Sequence, residues 1–465
     1  MSSAMWSVDE HLGDILDAVR PLEPIELQLH DAQGCVLVED VFVDIALPPF
    51  DNSSMDGYAV RVADVEGADE KSPAVLTVVG DVAAGGDGLP GGRSLGPGEA
   101  ARIMTGAPLP AGAEAVVPVE WTDGGTGGGP AAAMRSHREA PEAAGGEVRI
   151  HRPVEARAHV RARGSDVTPG ELALAAGAVI GPAQIGLLAA IGRSTVKVRP
   201  RPRVVVISTG AELAQPGEEL TGGRIYDSNS FALTAAARDA GAIAYRVGAV
   251  TDDADTLRAT IEDQLIRADL VVTTGGVSVG AYDVVKEALS SPAAADEPAG
   301  SGAGGPSGDG PDDAGGADGP EGDEAEGPRG VDFRTVAMQP GKPQGFGSIG
   351  PDRTPLLALP GNPVSAYVSF ELFVRPAIRA LMGLTDLHRP TVRAALKTDE
   401  ALSSPAGRRQ FLRGAYDAEA GTVTPVGGAG SHLVGALARA DALIVLPEDV
   451  TSAEPGAEVE AVLLR

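Results

Sequence analysis

The chain has 465 residues, with 65 acidic against 37 basic side chains, a formal charge of −28, one cysteine and seven histidines. At roughly 150 residues per domain, that length predicts about three domains with an ample core, and the acidic excess argues against nucleic acid as a partner. The lone Cys35 excludes an internal disulfide and a thiolate-rich zinc site, and no two histidines have the HxH or HxxxH spacing of a transition-metal site.

The first stretch, MSSAMWSVDEHLGD, lacks a basic head followed by an apolar core, so no signal peptide is expected. No apolar run reaches the roughly 18 residues of a membrane span. A cytoplasmic multidomain protein follows. Val8, Leu12, Ile15, Leu16 and Val19 recur at helical spacing, ended by Arg20-Pro21. A strand-like piece, ELQLHDAQGCVLVEDVFV, turns at Asp31 to Gly34. In LPPFDNSSMDGYAVR the prolines keep Leu47 to Phe50 extended, and Asp51 to Ser54 are residues that bond their own backbone. Val60 to Val119 reads as all-β, with Thr105 to Pro108 at a strand end. Tyr58 and Trp121 read as packing residues. Trp121 to Gly146 is a Gly/Ala loop, β character returns from Val148, and Pro182 to Ile191 reads as a helix.

RVVVISTGAEL opens a doubly wound part as strand, Ser-Thr-Gly turn and Glu212. Asp227-Ser228-Asn229 caps a helix over Phe231 to Asp239, closed by Gly241. IAYRVGAV is the next strand, and Asp252-Asp253 begins a helix from Ala254 to Ile266. Leu270 to Thr274 is a short apolar, β-branched run broken by Gly275-Gly276 and Gly280 before the helical pattern Val284, Val285, Ala288, Leu289. A strand passing through glycines into a helix presents bare amides to an anion, and Asp283 at the helix mouth could hold a hydrated cation beside it. The same pattern fits a plain βα turn capped by Asp283. The alternating βαβαβα order predicts a parallel sheet, with Ser208, Thr209, Asp252, Gly275, Gly276 and Asp283 on the rim beyond the strands' carboxyl ends. Ser291 to Gly330 carries ten acids and one arginine among Gly, Pro, Ala and Ser; it reads as a solvated, disordered insertion. LPGNPVSAY follows another apolar run, Val364 to Met382 reads as one long helix opened by Pro363, and Pro390 to Arg465 as a small β-barrel or sandwich.

The stretches PPFDNSSMDGYAVR, RIMTGAPLP, VRARGSDV, STGAEL, IYDSNS, TGGVSVGAYD, MQPGKPQGFG and LPGNPVSAYVSF, in that order over nearly the whole chain, resemble the molybdopterin molybdenumtransferases, the molybdenum insertase family that includes the C-terminal region of gephyrin. The resemblance implies an elongated homodimer of four-part α/β subunits. These are a discontinuous N-terminal domain (1–46 and 148–199), an inserted β domain (47–147), a doubly wound molybdopterin-binding domain (200–384, with the insertion 291–330) and a C-terminal β domain (385–465).

It also implies the chemistry: Mg²⁺-dependent cleavage of adenylylated molybdopterin, release of AMP, and passage of molybdenum from molybdate to the dithiolene. Amides of Gly275, Gly276, Ser278, Gly280 and Gly361 would hold the pyrophosphate. Asp56, Glu212, Asp252 and Asp283 fall on acidic motif positions, with Asp252 and Asp283 as the Mg²⁺ ligands and Asp56 reaching in from the second domain, across the dimer. Thr105, Arg161 and Asp166 match further motif positions, as do Ser208, Thr209, Gly210, Asp227, Pro340, Gly341, Pro343, Asn362 and Pro363. Lys342, Ser278 and Ser365 are the expected molybdate contacts. Molybdopterin adenylyltransferase and molybdoenzymes are the implied protein partners.

The chain departs from many members at Ala211 and Ser165, where they carry acids, and at Thr335 and Gln339, where they carry lysines. Arg334 lies on the opposite face of its strand from such a cation. The acidic insertion is a further departure. Two rival readings remain open at this point. One is molybdopterin adenylyltransferase, whose fold resembles residues 200–384 alone. The other is a non-catalytic molybdopterin-binding scaffold.

Overall fold

The computed structural model describes residues 5–134, 146–250, 253–276, 284–289 and 330–465. The insertion assigned to 291–330 therefore lies outside the described residues up to Gly330, as does the 135–145 part of the Gly/Ala loop. The chain forms two compact units: Met1–Ile25, Gly34–Val36 and Val198–Arg465 make one, Glu26–Gln33 and Leu37–Lys197 the other.

The second unit is built on a five-stranded mixed sheet, ordered Ala115–Pro118, Gly57–Val60, Glu99–Ile103, Ala74–Val82, Glu147–Ile150. Its strands bury Tyr58, Leu76, Val117, Val148 and Ile150 together, which makes Tyr58 a core residue. Trp121 packs edge-on to His159, with the Arg152 guanidinium over its ring.

In the first unit a six-stranded sheet runs Ile243–Val250, Arg203–Thr209, Leu270–Thr274, Thr354–Leu359, Pro343–Ile349, Gly330–Thr335. The first four strands are parallel, in register Val204↔Ala244, Val205↔Val271 and Val272↔Leu357. These strands are apolar on both faces because helices cover both. The helices Val8–Ala18, Asn229–Asp239 and the long one after Pro363 share one core with Val206 and Val272; Ala254–Leu265 and Val284–Leu289 share the other with Val205 and Val271. The last two strands correct the expectation of a wholly parallel sheet. Pro343–Ile349 is antiparallel to both its neighbours. Short links cause this: 336–342 and 350–353 are too brief for a crossover helix, so each joins adjacent strands as a hairpin.

The long helix forms from Pro363 to Leu381, but with a π-turn at Phe370–Val374 between the α segments Pro363–Ser369 and Arg375–Leu381. Pro376 has no N–H to return to Leu372, and the Arg375 N–H reaches instead to the Phe370 carbonyl. The C-terminal strands close a five-stranded barrel: Arg409–Asp417, Thr422–Pro425, Thr391–Leu396, Glu458–Leu463 and Ala442–Leu446 pair in turn, and the last returns to the first. Met338–Gln339 adds to it, parallel to Arg409–Gln410.

Candidate functional site

Three of the parallel strands end in turns that meet at one cleft of about 640 Å³. Ser208, Thr209, Gly210 and Glu212 come from the first turn, Gly275 and Gly276 from the second, and Gly361, Asn362 and Pro363 from the third. The expected convergence on a single rim is therefore seen for Ser208, Thr209, Gly275 and Gly276, and Asp227 lines the same cleft. Gly275 has φ +102° and its absent Cβ would lie 2.3 Å from the Thr209 carbonyl oxygen, so only glycine lets the two turns touch.

The turns are held together by side chains. Asn229 Nδ2 donates to the Gly361 carbonyl at 2.7 Å and to Thr274 Oγ1 at 3.0 Å, and the Thr274 hydroxyl donates to the Pro360 carbonyl at 3.0 Å. Asn229 thus ties turns to one another rather than capping its own helix. Asp227 is the cap: its carboxylate accepts from the Ser230 N–H at 3.1 Å, from the Ser208 hydroxyl at 2.6 Å and from the Ser230 hydroxyl. At 1% exposure, with Arg246 3.9 Å away, Asp227 is a structural carboxylate of the cleft wall.

The amide inventory differs from expectation at one position. The Gly275 N–H is already engaged, donating to the Leu359 carbonyl at 3.3 Å. The amides of Gly276, Gly361 and Asn362 have no partner among the described residues. Asn362 is the residue preceding the helix that begins at Pro363, with no side-chain cap. Those amides together make a seat for an oxyanion. Glu212 is exposed, its carboxylate folded over Gly210.

Other expected positions lie elsewhere. Lys342 is exposed, on a loop that contains a cis Gln339–Pro340 peptide and Gly341 at φ +103° and is tied by Gln344, whose amide donates to the Gly341 carbonyl and Ser369 Oγ, both at 2.6 Å. Pro340 to Pro343 and the buried Ser365 do not line the cleft. Arg334 is engaged with Asp14 and Asp332 and lies over the Trp6 ring, so it supplies no free cation near Lys342. Asp252, Ser278, Gly280 and Asp283 lie outside the described residues. Asp253 caps the following helix, and the Thr256 hydroxyl and amide hold its carboxyl below the usual range.

In the second unit, Asp56 Oδ1 accepts from both the Thr105 N–H, at 2.7 Å, and its hydroxyl, at 2.8 Å. The Gly106 N–H donates to the Ser53 carbonyl, joining the two motif loops. Arg161 stands opposite Asn52 in a short antiparallel pair, and the Asp166 N–H donates to the Leu47 carbonyl; both side chains are exposed. Asp51 accepts from Arg157 at 2.5 Å and from the Arg163 N–H at 2.7 Å, and the guanidinium holds its carboxyl below the ordinary range.

Sequence reasoning left several lining residues out of the site, among them Thr274, Tyr226 and, from the barrel, His432 and Val434. Tyr226 stands in the quoted motif IYDSNS, and Thr274 ends the strand ahead of the glycines; both were in view. No local signal marks His432. Its loop reaches the cleft through tertiary packing, the Val364 N–H donating to the Ser431 carbonyl at 3.0 Å.

Residues 6–192 match the model of the MoeA N-terminal region (domain I and II), residues 205–301 and 321–380 that of a probable molybdopterin binding domain, and residues 395–464 that of the MoeA C-terminal region (domain IV). The gap at 302–320 falls within the acidic segment. Among relatives, molybdopterin molybdenumtransferase 2 of Mycobacterium tuberculosis is 42% identical over 456 residues, covering 98% of this chain and 99% of the relative. Molybdopterin molybdenumtransferase 1 of the same organism is 37% identical over 482 residues, covering 99% of each. The crystal structure of the molybdopterin biosynthesis moea protein from Pyrococcus horikosii superimposes with a TM-score of 0.66 at 30% identity, over 99% of this chain and 100% of that one.

Proposed function

The chain belongs to the molybdopterin molybdenumtransferase family, and from that premise we propose how its cleft works. Adenylylated molybdopterin lies with its pyrophosphate on the open amides of Gly276, Gly361 and Asn362. Water cleaves the phosphoanhydride, AMP leaves, and the dithiolene sulfurs take molybdenum from molybdate. The observation that supports this reading is the rim cleft itself, where bare amides and hydroxyls gather from three strand ends, two of them joined by Asn229.

Bound Mg²⁺ would supply charge neutralisation on the phosphates. Asp252, two residues after the strand Ile243–Val250 in the sequence, and Asp283, directly before the helix Val284–Leu289, are the residues that would hold it. One or two carboxylates with phosphate oxygens and water suit this hard ion. Among the described residues no group of three or more His, Cys, Asp or Glu gathers. Lys342 is the molybdate contact, with Ser365 and Ser278 as the further candidates. Asp56, positioned by Thr105, serves the reaction together with Arg161 and Asp166, and the enzyme is a homodimer. Molybdopterin adenylyltransferase upstream and molybdoenzymes downstream are the protein partners, in the cytoplasm. Among the described residues no helix is long and apolar enough to cross a membrane.

Molybdopterin adenylyltransferase is not favoured, because the family likeness extends over 6–192 and 395–464 as well as the α/β region. A purified chain given adenylylated molybdopterin, Mg²⁺ and molybdate should release AMP in proportion to the cofactor formed. AMP at background, or consumption of ATP with free molybdopterin, would overturn the assignment.

A further inference from the structure

The cleft is built for an oxyanion, yet its described lining holds two carboxylates, Glu212 and Asp227, and one side chain able to carry positive charge, His432. Arg246, the nearest arginine to Asp227, is turned to Gln215 and Ser230 and lies over the Phe231 ring. His432 does not come from the α/β fold. It stands in the barrel loop between the strand Thr422–Pro425 and the helix Val434–Leu437.

That loop is fixed at both sides of the histidine. The Ser431 carbonyl accepts from the Val364 N–H at 3.0 Å, at the start of the helix that follows Gly361 and Asn362, and the His432 carbonyl accepts from the Val434 N–H at 2.9 Å. The imidazole lies over Gly430, its Cε1 3.1 Å from where a Cβ would stand. It is exposed and makes no hydrogen bond or ion pair among the described residues. Every neighbouring lining group is an amide, a hydroxyl, an apolar side chain or a carboxylate.

We propose that His432 is a substrate-binding residue, donating a ring N–H to the adenylyl phosphate seated on the Gly276, Gly361 and Asn362 amides. The proposal rests on the cleft reading above. An imidazole N–H is a donor in either protonation state and a charge-assisted one when cationic. It would offset the repulsion that Glu212 and Asp227 exert on a phosphate, and it makes the barrel part of the binding site.

The test is calorimetric binding of AMP and, separately, of adenosine to the full chain and to His432→Ala, His432→Gln and His432→Arg. Loss of one charge-assisted phosphate contact should weaken AMP by about tenfold or more in His432→Ala. His432→Arg should restore AMP binding and His432→Gln restore part of it, with adenosine unaffected and thermal unfolding unchanged. If the wild type binds AMP and His432→Ala binds it equally tightly, this contact falls and the cleft reading stands. Equal weakening of AMP and adenosine also overturns it. If the wild type binds no AMP, both fall.

Discussion

The Asn229 side-chain amide donates to the Gly361 carbonyl at 2.7 Å, joining the start of one helix to the turn before another across 132 residues of chain. With its second bond to Thr274 Oγ1, this one amide sets the spacing of the turns that carry the open N–H groups.

Asn229→Ala removes both bonds and leaves the buried Thr274 hydroxyl without its donor, while water can reach the exposed Gly361 carbonyl, which should cost about 1–3 kcal/mol in unfolding free energy. Asn229→Asp keeps the shape but sets a carboxylate against the Gly361 carbonyl and beside the anion seat. It should weaken AMP binding more than alanine does. Denaturant unfolding and AMP titration of the two variants check the order; equal AMP affinity in both would show that Asn229 does not shape the seat.

Lys342→Ala should raise the half-saturating molybdate concentration about ten- to a hundredfold, the worth of one charge-assisted contact to an anion. The basis is that Lys342 is exposed on a rigid loop and that Arg334 is engaged with Asp14 and Asp332. AMP affinity should stay unchanged. Superimposable molybdate titrations would place the dianion elsewhere, with Ser365 the next candidate.

His11 is 1% exposed, edge-on to Phe373 at 4.8 Å, with Nδ1 unbonded. Burial, with the Arg334 charge adding to it, pushes its pKa down to about 4 from an ordinary 6.5. The unfolded chain therefore binds a proton that the folded chain does not between those values. Stability should fall as pH drops from 6.5 to 4, by on the order of 3 kcal/mol, and level off below. His11→Leu should remove most of that slope and be more stable than wild type at pH 5 but not at pH 8. Parallel melting curves of the two proteins across pH 4–8 would contradict this.

Much of the rim was legible because its chemistry is local. A β-branched run ending in Gly275-Gly276, or Leu359 followed by Pro-Gly-Asn-Pro, states both the strand end and the freed backbone in a few residues. The helix at Asn229 was equally plain from Asp227-Ser228-Asn229. What the sequence could not convey was pairing at a distance. Asn229 reads as a cap, and only folding shows its amide turned to Gly361. The Gly275 amide reads as free, and only the neighbouring strand reveals Leu359 as its acceptor. His432 has no motif around it and enters the cleft through the Ser431–Val364 contact. The antiparallel pairing of strand 330–335 with 343–349 escaped for another reason: the short loop 336–342 reads as a ligand loop, when its brevity also dictates a hairpin.

Gly361→Ala is the sharpest test of the claim that the phosphoanhydride lies between the Gly275-Gly276 and Gly361-Asn362 turns. Gly361 has no left-handed φ, and an added Cβ would meet Gly275 Cα at 3.4 Å and its N at 3.9 Å, an ordinary contact that the fold tolerates. On the proposed binding mode the methyl group would meet the phosphate oxygens. Unfolding free energy should stay within about 1 kcal/mol of wild type, while kcat/KM for AMP release from adenylylated molybdopterin falls by about tenfold or more, a loss comparable to one phosphate contact. A folded Gly361→Ala protein that releases AMP at the wild-type rate would contradict the claim.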